Sequence, residues 1–197
     1  LPGVDNMAIN LKKPPLDDVR VRKALMYAIN REELAATLKG TALPWYSWLA
    51  PTNFCYNESL EKYAEQLYAY NPEKAKSLLK EAGWTDTDGD GIVDKDGKPL
   101  ELELLVPVDV PRLKRIAPVI QQQLAKVGIK LNLREFKIEY IWEKMYEWDF
   151  ELVLTLFWWA EPSGVLPYLF HSELGNLTYS NPELDRLFEE DMSTHKS

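Results

Sequence analysis

Leu100-Glu101-Leu102-Glu103-Leu104-Leu105-Val106 alternates apolar and acidic side chains, the two-residue period of a strand. A long amphipathic stretch follows, from about Pro111 to Val127, and Gly128 closes it as a helix stop. Ile129 to Phe136 alternates again, Ile138 to Tyr146 has helical spacing, and Phe150 to Phe157 is a strongly apolar strand. Just upstream, Asn71-Pro72 supplies a cap and a proline at the first helical position. Ala75, Leu78, Leu79 and Ala82 give that helix an apolar stripe, and Gly83 ends it. The order from residue 72 is therefore helix, strand, helix, strand, helix, strand. Such alternation predicts an α/β fold, a parallel or mixed sheet flanked by helices.

Outward from this frame the pattern continues less regularly. Met7 to Leu11 alternates as a short strand, and Pro14-Pro15 breaks it. Asp17 reads as the N-cap of a helix reaching about Asn30, with Val21, Ala24, Leu25 and Ala28 on one face. A shorter helix runs from Arg31 to about Leu38 and stops at Gly40. Residues 41–70 show no clean period and predict a long loop carrying Trp45, Tyr46, Trp48, Phe54 and Tyr56. Tyr56, Tyr63, Tyr68 and Tyr70 read as ordinary packing. Asn181-Pro182 opens a last helix. Ligands of open α/β sheets bind beyond the carboxyl ends of strands, which directs attention to the segment after Phe157.

Composition narrows the function. The chain has 197 residues, 46% of them hydrophobic and 27% charged, as in a globular protein. A net charge of −8 argues against nucleic acid as the main partner, because phosphate binding needs a basic face. There is no run of apolar residues long enough for a membrane helix, and no signal peptide opens the chain. The single cysteine, Cys55, makes no intrachain disulfide. Only His171 and His195 are available to a histidine-based site.

Asn10-Leu11-Lys12-Lys13-Pro14-Pro15-Leu16-Asp17-Asp18-Val19-Arg20-Val21-Arg22-Lys23-Ala24-Leu25 is a distinctive run, continued by Tyr27-Ala28-Ile29-Asn30-Arg31-Glu32. Tyr70-Asn71-Pro72-Glu73-Lys74-Ala75, Asp88-Gly89-Asp90-Gly91-Ile92, Val127-Gly128-Ile129, Trp148-Asp149-Phe150 and Leu169-Phe170-His171-Ser172 follow in order. Together they resemble the extracellular solute-binding proteins of family 5, the peptide/nickel-type receptors of ABC importers. The resemblance implies a two-lobed, periplasmic-binding-protein-like (type II) receptor. Residues 1–197 would be its second, ligand-binding lobe, with the first lobe absent from this sequence. It further implies ABC permease subunits as partners and no enzymatic activity. The expected location is periplasmic or extracellular, with a membrane tether on the full-length protein.

Two aromatic clusters are the expected ligand contacts: Trp45, Tyr46 and Trp48, and Trp158 with Trp159 at the strand end. In a strand, adjacent rings point to opposite faces, so Phe157, Trp158 and Trp159 do not all enter one core. Family peptide binders often place an Asp in this loop to pair with the peptide's ammonium. Here that position falls on Ala160, with Glu161 one residue away. Flat rings without a clear amine-binding Asp place a short oligosaccharide ahead of an oligopeptide as ligand. A burial of large rings at a cleft mouth favours a flat or apolar ligand above them.

Asp86, Asp88, Asp90 and Asp94 stand at positions 1, 3, 5 and 9 of a calcium-loop pattern, with Gly91 at position 6 and the Ile92 carbonyl at position 7. Position 12 is Gly97, so the bidentate Glu is absent. The acidic Asp/Gly loop at 85–98 is thus either a structural calcium site or a hydrated turn of Asp-Gly pairs; no cofactor is required. Two other classes remain open at this point. A carbohydrate-active hydrolase would use Glu161 beside Trp159 as one of two carboxylates. A calcium-dependent extracellular interaction module would rest on the acidic loop. His171, inside its Leu-Phe-His-Ser stretch, reads as structural.

Overall fold

The computed structural model describes residues 3–49, 51, 56–158, 166–167, 169–173 and 179–194. Its centre is a four-stranded sheet in the order β1 (Gly3–Ile9), β6 (Leu152–Trp158), β4 (Glu101–Pro107) and β5 (Lys130–Phe136). β4 runs parallel to both β5 and β6, while β1 pairs antiparallel with β6, from Gly3 opposite Trp158 to Ile9 opposite Leu152. The sheet is therefore mixed, and helices flank it on both faces.

The period-two pattern decides which residues go to which face. Leu102, Leu104 and Val106 of β4 join Leu152, Leu154 and Leu156 of β6 in the main core. Three helices cover that face: α1 (Val19–Ala28), α4 (Pro72–Glu81) and α5 (Pro111–Ala125), and the short α2 (Arg31–Thr37) packs beside α5. α1 meets α4 through Ala24, Ala28, Ala75 and Leu79, all fully buried, where small side chains let the two backbones approach. On the opposite face, Ala8, Leu105 and Val153 pack under α6 (Ile138–Tyr146) through Ile141 and Met145. A final helix, α7 (Pro182–Thr194), takes its cap from Asn181, whose side-chain oxygen accepts from the N–H of Glu183 and Leu184.

Three sequence expectations are corrected. Asp18, not Asp17, caps α1, accepting from the Arg20 N–H at 2.8 Å, and the helix ends at Ala28 because Asn30 serves as the cap of α2. The stretch 41–70 is not all loop: α3 (Glu58–Tyr68) occupies its second half, capped by Asn57. Tyr63 is not packed; it is 62% exposed on α3, whereas Tyr68 does stack against Tyr27, with ring centroids 5.9 Å apart. The acidic loop leads into a two-stranded hairpin, β2 (Asp94–Lys95) and β3 (Lys98–Pro99). No helix among the described residues is long and apolar enough to cross a membrane.

Candidate functional site

Ligands of open α/β sheets bind beyond the carboxyl ends of the strands, and at that end of β6 the sheet carries two unlike surfaces, one on each face. On the α6 side, Phe157 is buried and two tryptophan rings approach its own. Trp142 of α6 lies 5.9 Å away edge-on, and Trp48 lies 5.8 Å away in a tilted contact. Trp48 also meets Phe170 edge-to-face at 5.3 Å, and Phe170 meets Tyr179 at 6.1 Å. Separations of this kind are favourable quadrupolar geometries. Trp48 and Trp142 are each only half-buried, so apolar ring surface remains open at the strand end.

On the other face the same end of the sheet is charged. Asp5 pairs with Leu156 in the β1–β6 register, so its carboxylate lies on the α5 side. Arg112, in the first turn of α5, donates from Nε to both Asp5 oxygens at 3.0 and 2.9 Å. Neither terminal amino group of Arg112 makes a hydrogen bond to a described residue. A half-buried guanidinium with its outer edge free can meet a carboxylate bidentately.

The predicted aromatic residues are thus separated by the structure. Trp48 joins the cluster at the end of β6. Tyr46 is held by α2 and α3 instead, and Trp45 by a ring just before α3. Trp45 stacks on Tyr56 at 5.8 Å. Tyr46 donates from its hydroxyl to Glu32 and from its main-chain N–H to Glu61, both at 2.8 Å, and the Arg31 guanidinium lies 4.5 Å above its ring. Burial, then the bond to Glu32, pushes the Tyr46 phenol up to about 12. Burial also lowers the Arg31 pKa from its usual value. Trp158 closes β6 by its main chain, opposite Gly3. Trp159, Glu161, Cys55 and His195 lie outside the described residues. Phe157, Trp142, Phe170, Asp5 and Arg112 were not anticipated as site residues. For the Asp5–Arg112 pair the sequence offers no signal, since its members lie 107 positions apart.

In the acidic loop, Asp86, Asp88 and Asp94 each bring a carboxylate oxygen within 4.8 Å of the others, while Asp90 is not part of that group. All four carboxylates also accept main-chain N–H groups. Asp86 takes Gly89 and Gly91, Asp88 takes Asp90, Asp90 takes Ile92, and Asp94 takes Thr87. His171 is buried; its Nδ1 accepts the Glu173 N–H at 3.1 Å and its Nε2 lies 3.6 Å from Glu189 of α7, a packing role. A concavity of about 310 Å³ lies between α6 and the sheet, floored by Phe136, Tyr140 and Phe150. Its charges answer one another: Lys13 and Lys144 both reach Asp149, at 3.3 and 2.9 Å.

Comparison with known proteins gives this architecture a family. The model of the bacterial extracellular solute-binding proteins, family 5 Middle, matches residues 2–176. The oligopeptide-binding protein AppA of Bacillus subtilis is 33% identical over 190 residues, covering 92% of this chain and 34% of its own length. The nickel-binding periplasmic protein of Escherichia coli is 29% identical over 171 residues, covering 87% of this chain and 31% of its own. The chain thus spans about a third of the length of these relatives. Among solved structures, AppA in complex with a nonapeptide superposes with a TM-score of 0.80 at 31% identity, over 96% of this chain and 40% of that one. A mannohexaose-bound oligopeptide-transporter binding protein of Thermotoga maritima gives 0.79 at 25% identity, over 96% and 38%. Shared sequence along most of the chain and a shared fold place it in one group: the chain belongs to the bacterial extracellular solute-binding proteins of family 5.

Proposed function

We propose that residues 1–197 form one ligand-binding lobe of the solute-capturing component of an ABC importer, working outside the cytoplasmic membrane and delivering its solute to permease subunits. The solute is a short oligomer held in a cleft completed by another part of the full-length receptor. The observation that carries this reading is the open aromatic surface of Trp48 and Trp142 around Phe157, at the strand ends where α/β folds bind ligands. Stacking of this kind suits the flat faces of a short oligosaccharide, and the mannohexaose bound by the Thermotoga maritima relative supports that class. Arg112 favours the second reading, an oligopeptide, because its free guanidinium edge suits a carboxylate; AppA with its nonapeptide supports it. The proposed role makes and breaks no covalent bond, and the relatives' being binding proteins supports a reading without catalysis. The hydrolase and interaction-module alternatives draw no support from the relatives.

The test is calorimetry on the full-length receptor with mannohexaose and with a nonapeptide. Trp48→Ala should weaken the bound class about tenfold or more, a loss of ~1.4 kcal/mol. Undiminished affinity in that variant would remove the aromatic surface from the site. As a structural ion, calcium in the acidic loop is supported by the grouping of Asp86, Asp88 and Asp94. Titration with calcium should then give saturable binding that Asp88→Asn weakens; no heat above dilution would leave the loop to its hydrogen bonds.

A further inference from the structure

The segment that carries Trp48 has no regular structure, and among the described residues no main-chain to main-chain hydrogen bond involves residues 42–49. Something else must set where its rings lie. The main-chain anchor is Glu61: one carboxylate oxygen accepts the Tyr46 N–H at 2.8 Å. Glu61 is only 9% exposed, and it is the single buried residue of α3. Its other oxygen is buried, with no hydrogen-bond partner among the described residues. A half-satisfied buried carboxylate costs stability that an apolar residue would not, so packing alone does not account for it. What it provides is a fixed place for one peptide group in an otherwise unheld segment. Arg31 completes the arrangement from α2. Its guanidinium lies over the Tyr46 ring at 4.5 Å, and its positive charge offsets the buried carboxylate. Tyr46 is thus gripped at main chain and ring, and Trp48, two residues on, meets Phe157 and Phe170. Two residues reach at most about 7 Å, so the point where Tyr46 is fixed limits where the Trp48 ring can lie.

We propose that Glu61 and Arg31 are positioning residues for Trp48, holding the 45–48 segment so that the Trp48 ring meets the end of β6 in a ligand-ready place. The proposal rests on the receptor reading for the use of Trp48 and on geometry alone for its placement. The experiment labels the full-length receptor with 5-fluorotryptophan and reads ¹⁹F spectra without ligand, Trp48 being assigned by Trp48→Phe. Calorimetry with mannohexaose and with a nonapeptide follows on the same samples. Glu61→Leu should move or broaden the Trp48 resonance and weaken the probe that wild type binds at least about fivefold. Glu61→Gln, which keeps an oxygen acceptor, should hold both within about twofold. If Glu61→Leu does not fold, Arg31→Leu takes the cation off the Tyr46 ring while leaving Glu61 and its bond to the Tyr46 N–H in place, and should displace the same resonance. A lowered melting temperature with Trp48 unmoved would make these residues merely structural and overturn the proposal. So would a moved resonance with unchanged affinity, or a Glu61→Gln as damaging as Glu61→Leu. A wild type that binds neither probe would sink the receptor reading, while the ligand-free spectra would still decide the placement.

Discussion

Asp94 is a surface carboxylate with an unusually full set of donors. The Thr87 hydroxyl and main-chain N–H reach its two oxygens at 2.6 and 2.9 Å, the hydroxyl bond being the larger cause, and hold its pKa below the ordinary 3.8. The fold therefore prefers the ionised form more than the unfolded chain does. That preference stabilises the protein fully above about pH 4 and drains away as pH falls through the lowered pKa. Asp94→Asn should lower the melting temperature at neutral pH, and the gap to wild type should close as pH falls through that lowered pKa. Melting curves between those limits check this; a gap of constant size would assign the effect to geometry and not to charge. The Asp-Gly spacing of this loop was legible in the sequence because its contacts are local. The division of labour in Trp45-Tyr46-Ser47-Trp48 was not. Adjacent aromatics carry no mark of which ring will meet a strand end and which will be held by Glu32, Arg31 and Tyr56.

Elements follow the same division between local and distant causes. β4, α5, β5 and β6 were legible because each buries the residues its period selects, and the Gly128 stop between α5 and β5 was visible as well. Gly128 adopts φ +84°, and a Cβ there would stand 2.8 Å from Val93 Cγ1, where the Val93 N–H also bonds the Gly128 carbonyl at 2.8 Å. Gly128→Ala should cost about 1–3 kcal/mol, more than Gly89→Ala, whose φ of +81° is similar but whose surroundings are open. Chemical denaturation of both variants measures the difference; equal losses would reduce the Gly128 effect to backbone conformation alone. α3 was missed because its pattern misleads: Leu60, Tyr63 and Leu67 share one face and are exposed, while the buried residue is an acid. Leu154→Ala, in the central strand β6, should accordingly cost about 2–5 kcal/mol. Leu67→Ala should stay within about 0.5 kcal/mol. A comparable loss at Leu67 would mean that α3 carries a packed face after all.

At the scale of the whole molecule, the order β6-β4-β5 is built by parallel crossovers, but the antiparallel return of β1 beside β6 is not, since its partner lies at the far end of the chain. That return brings Asp5 to Arg112 and gives the strand ends a charged face opposite the aromatic one. The two surfaces lie on opposite faces of the sheet at its strand ends, and the chain spans only about a third of the length of its curated relatives. A site that closes on a drug-sized ligand covers most of the ligand's surface, about 70–90%. One lobe alone leaves the outward half of such a ligand in water. It also leaves the ligand free to rock on a single stacking surface, so the ordering cost falls on fewer contacts. Residues 1–197 expressed by themselves should therefore bind whichever of mannohexaose or nonapeptide the full-length receptor prefers at least about a hundredfold more weakly, a difference of ~2.8 kcal/mol. Trp48→Ala should remove most of what remains if, as proposed, the aromatic face is this chain's share of the cleft. Calorimetry on both proteins in one buffer makes the comparison. Equal affinities would place the whole site within these residues and turn the receptor reading into that of a self-sufficient binding domain.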